Sequence, residues 1–172
     1  RAKKKQVACV GRWNDLVQKR PDLLMEVIGN LVAEDDTVSV VIAGTPEEGL
    51  IAWHTDLPEA FRERVDLRGK VARDELAAIL DESRVFYSPS AFESFGIAAA
   101  EALCCGCSVV AERSVSMAAF EWFVADASGR LADSGAAGHL NALRNEFANW
   151  ENGLRDGKGI SEVWSQRLHA DK

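Results

Sequence analysis

Long hydrophobic runs, a basic surplus and a disulfide framework are all missing from this sequence of 172 residues. No apolar stretch approaches the roughly 18–20 residues that a membrane-spanning helix requires. The formal net charge of −7 argues against a general nucleic-acid or anionic-membrane binder, because phosphate backbones demand a broad basic surface. A small phosphorylated ligand is still compatible with this charge, since a few local donors suffice to bind it.

Cysteine is scarce, and its placement does not suit a disulfide framework. Of Cys9, Cys104, Cys105 and Cys107, three are crowded together, as is compatible with a reducing cytosol. Cys104 and Cys107 have C-x-x-C spacing, but no second ligand pair accompanies them. We therefore expect small buried hydrophobic side chains rather than a metal site.

Short, mostly apolar, β-branched segments recur along the chain, as expected of parallel strands buried on both faces. They are residues 6–10, 38–43, 65–68, 85–87, 107–111 and 129–132. Helix-like segments lie between and after them, at residues 21–33, 73–82, 95–104, 117–125, 135–149 and 161–169. This alternation predicts an α/β fold with a doubly wound, mostly parallel sheet. In such sheets the ligand lies beyond the carboxyl ends of the strands.

Residues 88–103 join a predicted strand to a helix that is apolar on nearly every side. We expect this helix to be buried, with free backbone N–H groups at its start facing the carboxyl edge of the sheet. Such a helix start suits an anion. Gly96 would let the backbone approach that anion closely.

Two glutamates, Glu93 and Glu101, lie before and within this helix. A carboxylate on a buried helix is costly unless it is hydrogen-bonded, and Glu101 lies roughly 6–8 Å beyond the helix start. That distance matches the reach from a diphosphate to a ribose, whose paired hydroxyls could donate to Glu101, while Glu93 would lie on the sugar side. From the residues alone, an alternative stays open in which Glu93 caps the helix and Glu101 pairs with a core arginine or a backbone donor.

This segment closely resembles the donor-site signature of glycosyltransferase family 4, in which two glutamates enclose Ser-Phe-Gly-Ile and Glu-Ala-Leu follows. Gly11-Arg12 after the first strand, followed by Lys19, resembles the Gly-Arg and Lys pair of the family. The strand ends at Gly44 and at Lys70-Val71 resemble its next two loops, the second of which lies near the base. The resemblance covers roughly residues 6–143. It implies the GT-B fold, in which two Rossmann-like domains face each other, and this chain looks like the carboxy-terminal one.

The resemblance implies that the chain binds a nucleoside-diphosphate sugar (UDP or GDP) as half of a retaining, hexosyl-type glycosyltransferase. The acceptor would then be held by an amino-terminal domain that is absent from this chain. Arg12 and Lys19 would stabilise the diphosphate, and together with Glu93 they are the expected catalytic residues. Arg20 is an alternative phosphate ligand, because Arg12 and Lys19 are farther apart in this sequence than in the common form of the family motif. The residues expected to bind the donor nucleotide are Gly11, Gly44, Lys70, Val71, Ser94, Phe95, Gly96, Ile97 and Glu101.

Two motifs of related enzymes are absent. The sequence contains no Asp-x-Asp tripeptide, which holds a metal in the other common glycosyltransferase fold, so we expect no cofactor and a metal-independent site. The Gly-Gly-x-Pro-Glu loop of the family is replaced by residues 113–121, which lack glycine, so contacts from this backbone to the donor sugar are not expected. A non-catalytic nucleotide-sugar-binding module and a nucleotide-sugar epimerase are the alternative functions.

The two ends of the chain are predicted to differ from its centre. We interpret residues 1–172 as one nucleotide-sugar-binding domain, with residues 1–5 as a solvated linker. Residues 150–172 are expected to form a tail helix that packs toward the missing domain. The first residue is not Met and no signal peptide is recognisable, so we expect further chain upstream and a cytoplasmic protein. Any contact with the inner face of the membrane would be made through the missing domain, and no nucleic-acid partner is expected.

Overall fold

The computed structural model of the protein describes residues 2–168, and its centre is a six-stranded sheet in which every neighbouring pair is parallel. The strands are β1 Lys4–Val10, β2 Ser39–Ala43, β3 Val65–Leu67, β4 Ser83–Ser88, β5 Ser108–Glu112 and β6 Gly129–Ala132. Their order is β3-β2-β1-β4-β5-β6. The strand order therefore reverses between β1 and β4, which confirms the predicted doubly wound α/β fold.

Helices cover both faces of the sheet. They are α1 Pro21–Glu34, α2 Glu48–Asp56, α3 Glu59–Arg62, α4 Arg73–Glu82, α5 Ile97–Cys104, α6 Ala118–Phe123, α7 Ala136–Glu151 and α8 Gly157–Arg167. One core lies between the sheet and α1, α2 and α7, and the other lies between the sheet and α4, α5, α6 and α8. Within β4, Val85 and Tyr87 enter the first core and Phe86 enters the second, as a strand buried on both faces requires.

The predicted elements are present, with shifted ends. Helix α1 starts at Pro21, whose fixed φ suits a first helical position, and its predicted apolar stripe is buried. In α4, Ile79 and Leu80 are buried, but Ala77 is exposed although the pattern placed it inside. Helices α2 and α3 were not predicted, because α2 buries Leu50 alone and α3 buries no residue. Neither helix therefore shows an apolar period in the sequence.

The prediction that residues 1–5 form a solvated linker is wrong for residues 3–5. Strand β1 begins at Lys4. Lys5 forms ion pairs with Asp35 at 2.9 Å and Glu151 at 2.8 Å. The Lys3 ammonium donates to three carbonyls around the end of α4, those of Leu80, Asp81 and Ser83. Each of these lysines has specific acceptors, because β1 lies beside β4 and the helix ends that flank it.

The tail packs onto this domain and not away from it. Helix α8 lies against α5, and the fully buried Trp164 donates from Nε1 to Ser128 Oγ at 2.7 Å. Trp150, near the end of α7, donates to Ser108 Oγ at 2.9 Å. Residues 150–168 are therefore part of this domain's own core, and the expectation that residues 150–172 also pack toward a missing domain stays a prediction. The predicted helix end at His169 lies outside the described residues.

Candidate functional site

The loops that follow β1, β2 and β3 are tied together at the carboxyl edge of the sheet. The N–H of Gly11 donates to the Ala43 carbonyl at 3.2 Å, and the N–H of Gly44 donates to the Gly69 carbonyl at 3.0 Å. Gly44 has a φ of +115°, and a Cβ there would lie 1.9 Å from the Gly11 carbonyl oxygen. A side chain at this position would separate the loops, so the fold itself requires Gly44.

Helix α5 starts later than expected, at Ile97. Gly96 is its N-cap residue with a φ of +86°, and a Cβ there would lie 2.8 Å from the Phe120 ring. Gly96 therefore serves the turn and makes room for Phe120, whereas the sequence suggested close approach of an anion. No side chain caps the helix, and its first internal bond joins Ala100 N–H to the Gly96 carbonyl. The first-turn N–H groups before Ala100 have no acceptor within the helix.

These N–H groups border a cavity of about 200 Å³ at the carboxyl edge of the sheet. The cavity brings together five of the predicted site residues: Lys19, Glu93, Ser94, Gly96 and Ile97. Its other lining residues come from β1, β4, α5 and α6, namely Val10, Phe86, Ser88, Ala98, Ala99 and Phe120. One cation and a free helix start therefore face the same space, an arrangement suited to an anionic group.

Glu93 is engaged inside this cavity by its neighbours. Lys19 Nζ forms an ion pair with Glu93 Oε1, and the two side chains are 15% and 16% exposed. Ser90 Oγ also donates to Glu93 Oε1, at 3.1 Å. The carboxylate thus pairs with a lysine across the cavity and does not cap the helix. Part of the Lys19 charge is neutralised within the domain itself.

The environment of Glu101 differs from the predicted one. Helix α5 is not covered on every side, since Ile97 is 71% exposed and Glu101 is half-buried, and Phe95, just before the helix, is 41% exposed. Within residues 2–168 the Glu101 carboxylate forms no ion pair and no side-chain hydrogen bond, so no core arginine satisfies it. Glu101 lines a groove of about 370 Å³ together with Arg73, Leu76 and Phe95. Ile97 lines both this groove and the Lys19 cavity, so the two spaces adjoin.

The remaining predicted residues lie outside both spaces. Arg12 and Lys70 are exposed, and Val71 is half-buried. Arg12 has no ion pair or side-chain hydrogen bond in the described part of the chain. Arg20, the alternative phosphate ligand, is occupied, because its Nε donates to the Pro89 carbonyl at 2.6 Å.

The loop after β5 supports the site from the other side. Val115–Met117 form a single 3₁₀ turn, whose N-cap residue Ser114 accepts the N–H of Ser116 at its Oγ. The Ser116 carbonyl in turn accepts the N–H of Glu93 at 3.0 Å. The loop that lacks the family's glycines therefore helps to hold the backbone of Glu93.

Three cysteines lie between the end of α5 and the start of β5, and Cys9 lies within β1. Cys9 and Cys107 are buried as predicted, whereas Cys104 and Cys105 are half-buried. Burial raises the pKa of Cys107 to about 12, so this thiol is protonated at neutral pH. In residues 2–168 we find no group of three His, Cys, Asp or Glu side chains arranged for a metal ion. Nor does the described chain contain a helix both long and apolar enough to cross a bilayer.

A network of buried polar side chains lies behind the site, and the sequence did not predict it. Tyr87 Oη lies 2.7 Å from His139 Nδ1, and His139 Nε2 lies 3.0 Å from Glu112 Oε1. Arg20 Nη2 lies 3.4 Å from the same Glu112 oxygen. The sign of this network in the sequence is that a charged residue, Glu112, directly follows a predicted buried strand. Nothing local in the sequence connects it to a histidine on α7.

Comparison with known proteins places the chain in a family. The family model for glycosyl transferases group 1 matches residues 4–143. The D-inositol 3-phosphate glycosyltransferase of Mycobacterium ulcerans is 33% identical over 116 residues, which cover 64% of this chain and 24% of that protein. The phosphatidylinositol N-acetylglucosaminyltransferase gpi3 subunit of Schizosaccharomyces pombe is 28% identical over 92 residues, or 54% and 20% of the two chains. The chain thus spans about a quarter or less of the length of these relatives.

Solved structures agree with this fold. HepE of Anabaena, solved in complex with UDP and glucose, superposes with a TM-score of 0.71 at 20% identity, over 96% of this chain and 45% of that chain. The catalytic domain of the cholesterol-alpha-glucosyltransferase of Helicobacter pylori gives 0.71 at 21% identity, over 94% and 98%. This protein therefore belongs to the glycosyl transferases group 1 family and has the fold of the carboxy-terminal domain of a GT-B glycosyltransferase.

Proposed function

We propose that this domain binds a nucleoside-diphosphate sugar and is the donor half of a retaining glycosyltransferase. One observation carries the proposal: the free first turn of α5 and the Lys19 ammonium face one cavity at the carboxyl edge of the sheet. A diphosphate placed there would accept hydrogen bonds from the backbone and from Lys19. Arg12, which is exposed and unpaired in the described chain, would supply a second cation.

In the proposed reaction, these residues would act on the negative charge that develops on the leaving group. When the bond between the anomeric carbon and the diphosphate oxygen breaks, negative charge grows on the leaving nucleoside diphosphate. Lys19, Arg12 and the α5 terminus are fixed positive groups that would stabilise this charge. Because the sequence lacks Asp-x-Asp, we propose that these groups act in place of a metal. EDTA should therefore leave nucleotide affinity unchanged, and a large loss on chelation would contradict this part.

The two glutamates would contact different parts of the donor. Glu101 has a free carboxylate beside the groove that adjoins the cavity, and ribose hydroxyls would donate to it. Gly11, Gly44, Lys70 and Val71 belong to the strand-end loops on the nucleoside side, where the base would lie. Glu93 would contact the sugar. The acceptor would be held by an amino-terminal domain of the same polypeptide, so we expect no sugar transfer by residues 1–172 alone.

Calorimetry of the 172-residue chain with UDP, GDP and ADP tests the proposal. We expect one of these diphosphates to bind with a stoichiometry of one, and the matching nucleoside to bind far more weakly. UDP is the first choice, because the similar HepE structure contains it. Failure of all three diphosphates to bind, with the chain shown to be folded, would contradict the proposed function.

A further inference from the structure

The turn that carries Glu93, residues 88–93, is held by the segment that leads into α1. The Gln18 carbonyl accepts the Ala91 N–H at 2.8 Å. The Gln18 side-chain amide donates to the Phe92 carbonyl at 3.1 Å. These bonds join parts of the chain far apart in sequence, so the turn depends on the exact place of residues 18–20.

Arg20 makes the other half of this attachment. Its guanidinium donates to the carbonyls of Pro89 at 2.6 Å and Ser90 at 3.2 Å. Its own backbone has a φ of +48°, a left-handed conformation that residues other than glycine rarely adopt. Such outliers persist where the surroundings over-determine them. Arg20 is therefore held in an unfavourable conformation from which its side chain reaches the turn.

Glu112 lies against the Arg20 guanidinium, beside the nitrogen that donates to Ser90. Its side chain is 11% exposed, and its Oε1 lies 3.4 Å from Arg20 Nη2. His139 is fully buried, and it satisfies both ring nitrogens as a neutral ring when Nε2–H donates to Glu112 and Nδ1 accepts the Tyr87 hydroxyl proton. The Tyr87 bond fixes the imidazole ring and the Nε2–H bond orients the carboxylate, so Glu112 presents a fixed acceptor to Arg20.

We propose that Glu112 is a positioning residue, which through Arg20 holds the 88–93 turn and so sets the place of the Glu93 carboxylate. The consequence for ligand binding rests on the proposed function, in which Glu93 contacts the donor sugar. The effect on the turn does not depend on any ligand. Glu112 itself acts through Arg20 and touches neither the cavity nor its lining residue Lys19.

The first test measures amide hydrogen exchange in the ligand-free chain. Glu112→Gln keeps the shape of the side chain and removes its charge. Glu146→Gln is the matched control, since Glu146 is fully buried and pairs with Arg155 at 2.6 Å without contact to the turn. In E112Q, exchange at Ala91 and Glu93 should be about tenfold faster relative to the amides of β2, because a weakened turn opens locally. E146Q should leave this ratio unchanged. Parental rates at Ala91 and Glu93 in E112Q, or equal acceleration in both variants, would overturn the proposal.

The second test compares UDP-glucose with UDP by calorimetry. E112Q should lower affinity for UDP-glucose about tenfold relative to UDP, as loss of a well-placed charged hydrogen bond does, and E146Q should keep the parental ratio. An unchanged ratio in E112Q, with the parent binding both probes, would overturn the positioning of Glu93. A parent that binds neither probe would count against the proposed function, and the exchange rates would then decide the role of Glu112 alone.

Discussion

Glu93 and Glu101 are separated by seven residues, yet the structure treats them in opposite ways. Glu93 is paired with Lys19, accepts from Ser90 and lies on a turn that is held from both sides. Glu101 stands half-exposed on α5, with no ion pair or side-chain hydrogen bond among the described residues. The Glu93 carboxylate already has partners within the domain. The Glu101 carboxylate has none among the described residues and is accessible, so a ligand can bind to it. The two halves of the site should therefore respond differently to substitution.

The largest effect is expected for Lys19→Met. This change removes the cation from the cavity and leaves Glu93 as an unpaired carboxylate facing the same space. Affinity for the nucleoside diphosphate should fall by at least about 1.5–3 kcal/mol, the usual worth of a hydrogen bond to a charged group. Calorimetry measures the loss. Lys158→Met, which changes an exposed lysine on α8, should bind like the parent, and equal affinity of both variants would remove Lys19 from the site.

Glu101→Gln should come next. If Glu101 accepts ribose hydroxyls, the change should weaken a nucleoside diphosphate and its sugar conjugate by similar factors, about 1.5–3 kcal/mol. The melting temperature should not change, because the carboxylate has no partner within residues 2–168 to lose. Glu162→Gln, on the exposed side of α8, controls for the loss of charge. A variant that melts several degrees lower and binds like the parent would make Glu101 a structural residue.

Glu93→Gln should have a smaller effect on the bare diphosphate, and one of opposite sign. Removing this carboxylate releases the Lys19 ammonium from its ion pair and takes a negative charge out of the cavity. Affinity for the diphosphate should therefore rise, by up to about 1 kcal/mol for a partly exposed pair. In a complete enzyme the same change should chiefly lower turnover. A calorimetric loss of diphosphate affinity would show that Glu93 does not restrain Lys19 in the way its contacts indicate.

The smallest effect concerns the network behind Glu93. Burial lowers the pKa of His139 more than its hydrogen bond to Glu112 raises it, while Arg20 nearby also lowers it. The unfolded chain thus takes up this proton near pH 6.5, while the folded chain takes it up at lower pH. Stability is full above pH 6.5 and falls as the pH decreases toward the folded pKa. His139→Gln should flatten this part of the pH profile in urea denaturation. If the free energy of unfolding of His139→Gln has the same slope below pH 6.5 as that of the parent, His139 does not cause this pH dependence.

Much of the fold could be predicted from the sequence, because strands buried on both faces and the stripe of α1 leave strong local patterns. Helices α2 and α3 could not, since they bury almost nothing. Within the candidate site, the family resemblance singled out Lys19 and Glu93, which line one cavity in the structure. The prediction that α5 is buried on every side was wrong, because burial of an alanine-rich helix depends on which neighbours cover it.

The contacts that build the candidate site are long-range, and single-sequence patterns do not predict them. Lys19 meets Glu93, and Arg20 meets Glu112, because the segment before α1 lies against the turn that follows β4. The tail shows the same limit. Trp164 is buried because Ser128 and α5 receive it, although the sequence alone allowed it to face a separate domain.

Amide chemical shifts can show, residue by residue, whether a diphosphate binds at the start of α5. In a titration of the ¹⁵N-labelled chain with UDP, the N–H signals of Ile97, Ala98 and Ala99 should shift together and saturate at one dissociation constant, while uridine should move them far less. The chain also has a larger cavity at the amino edge of the sheet, about 660 Å³ in volume and bordered by Lys3 and Gly157. Shifts confined to that cavity, with the α5 amides unmoved, would show that the diphosphate does not bind at the start of α5.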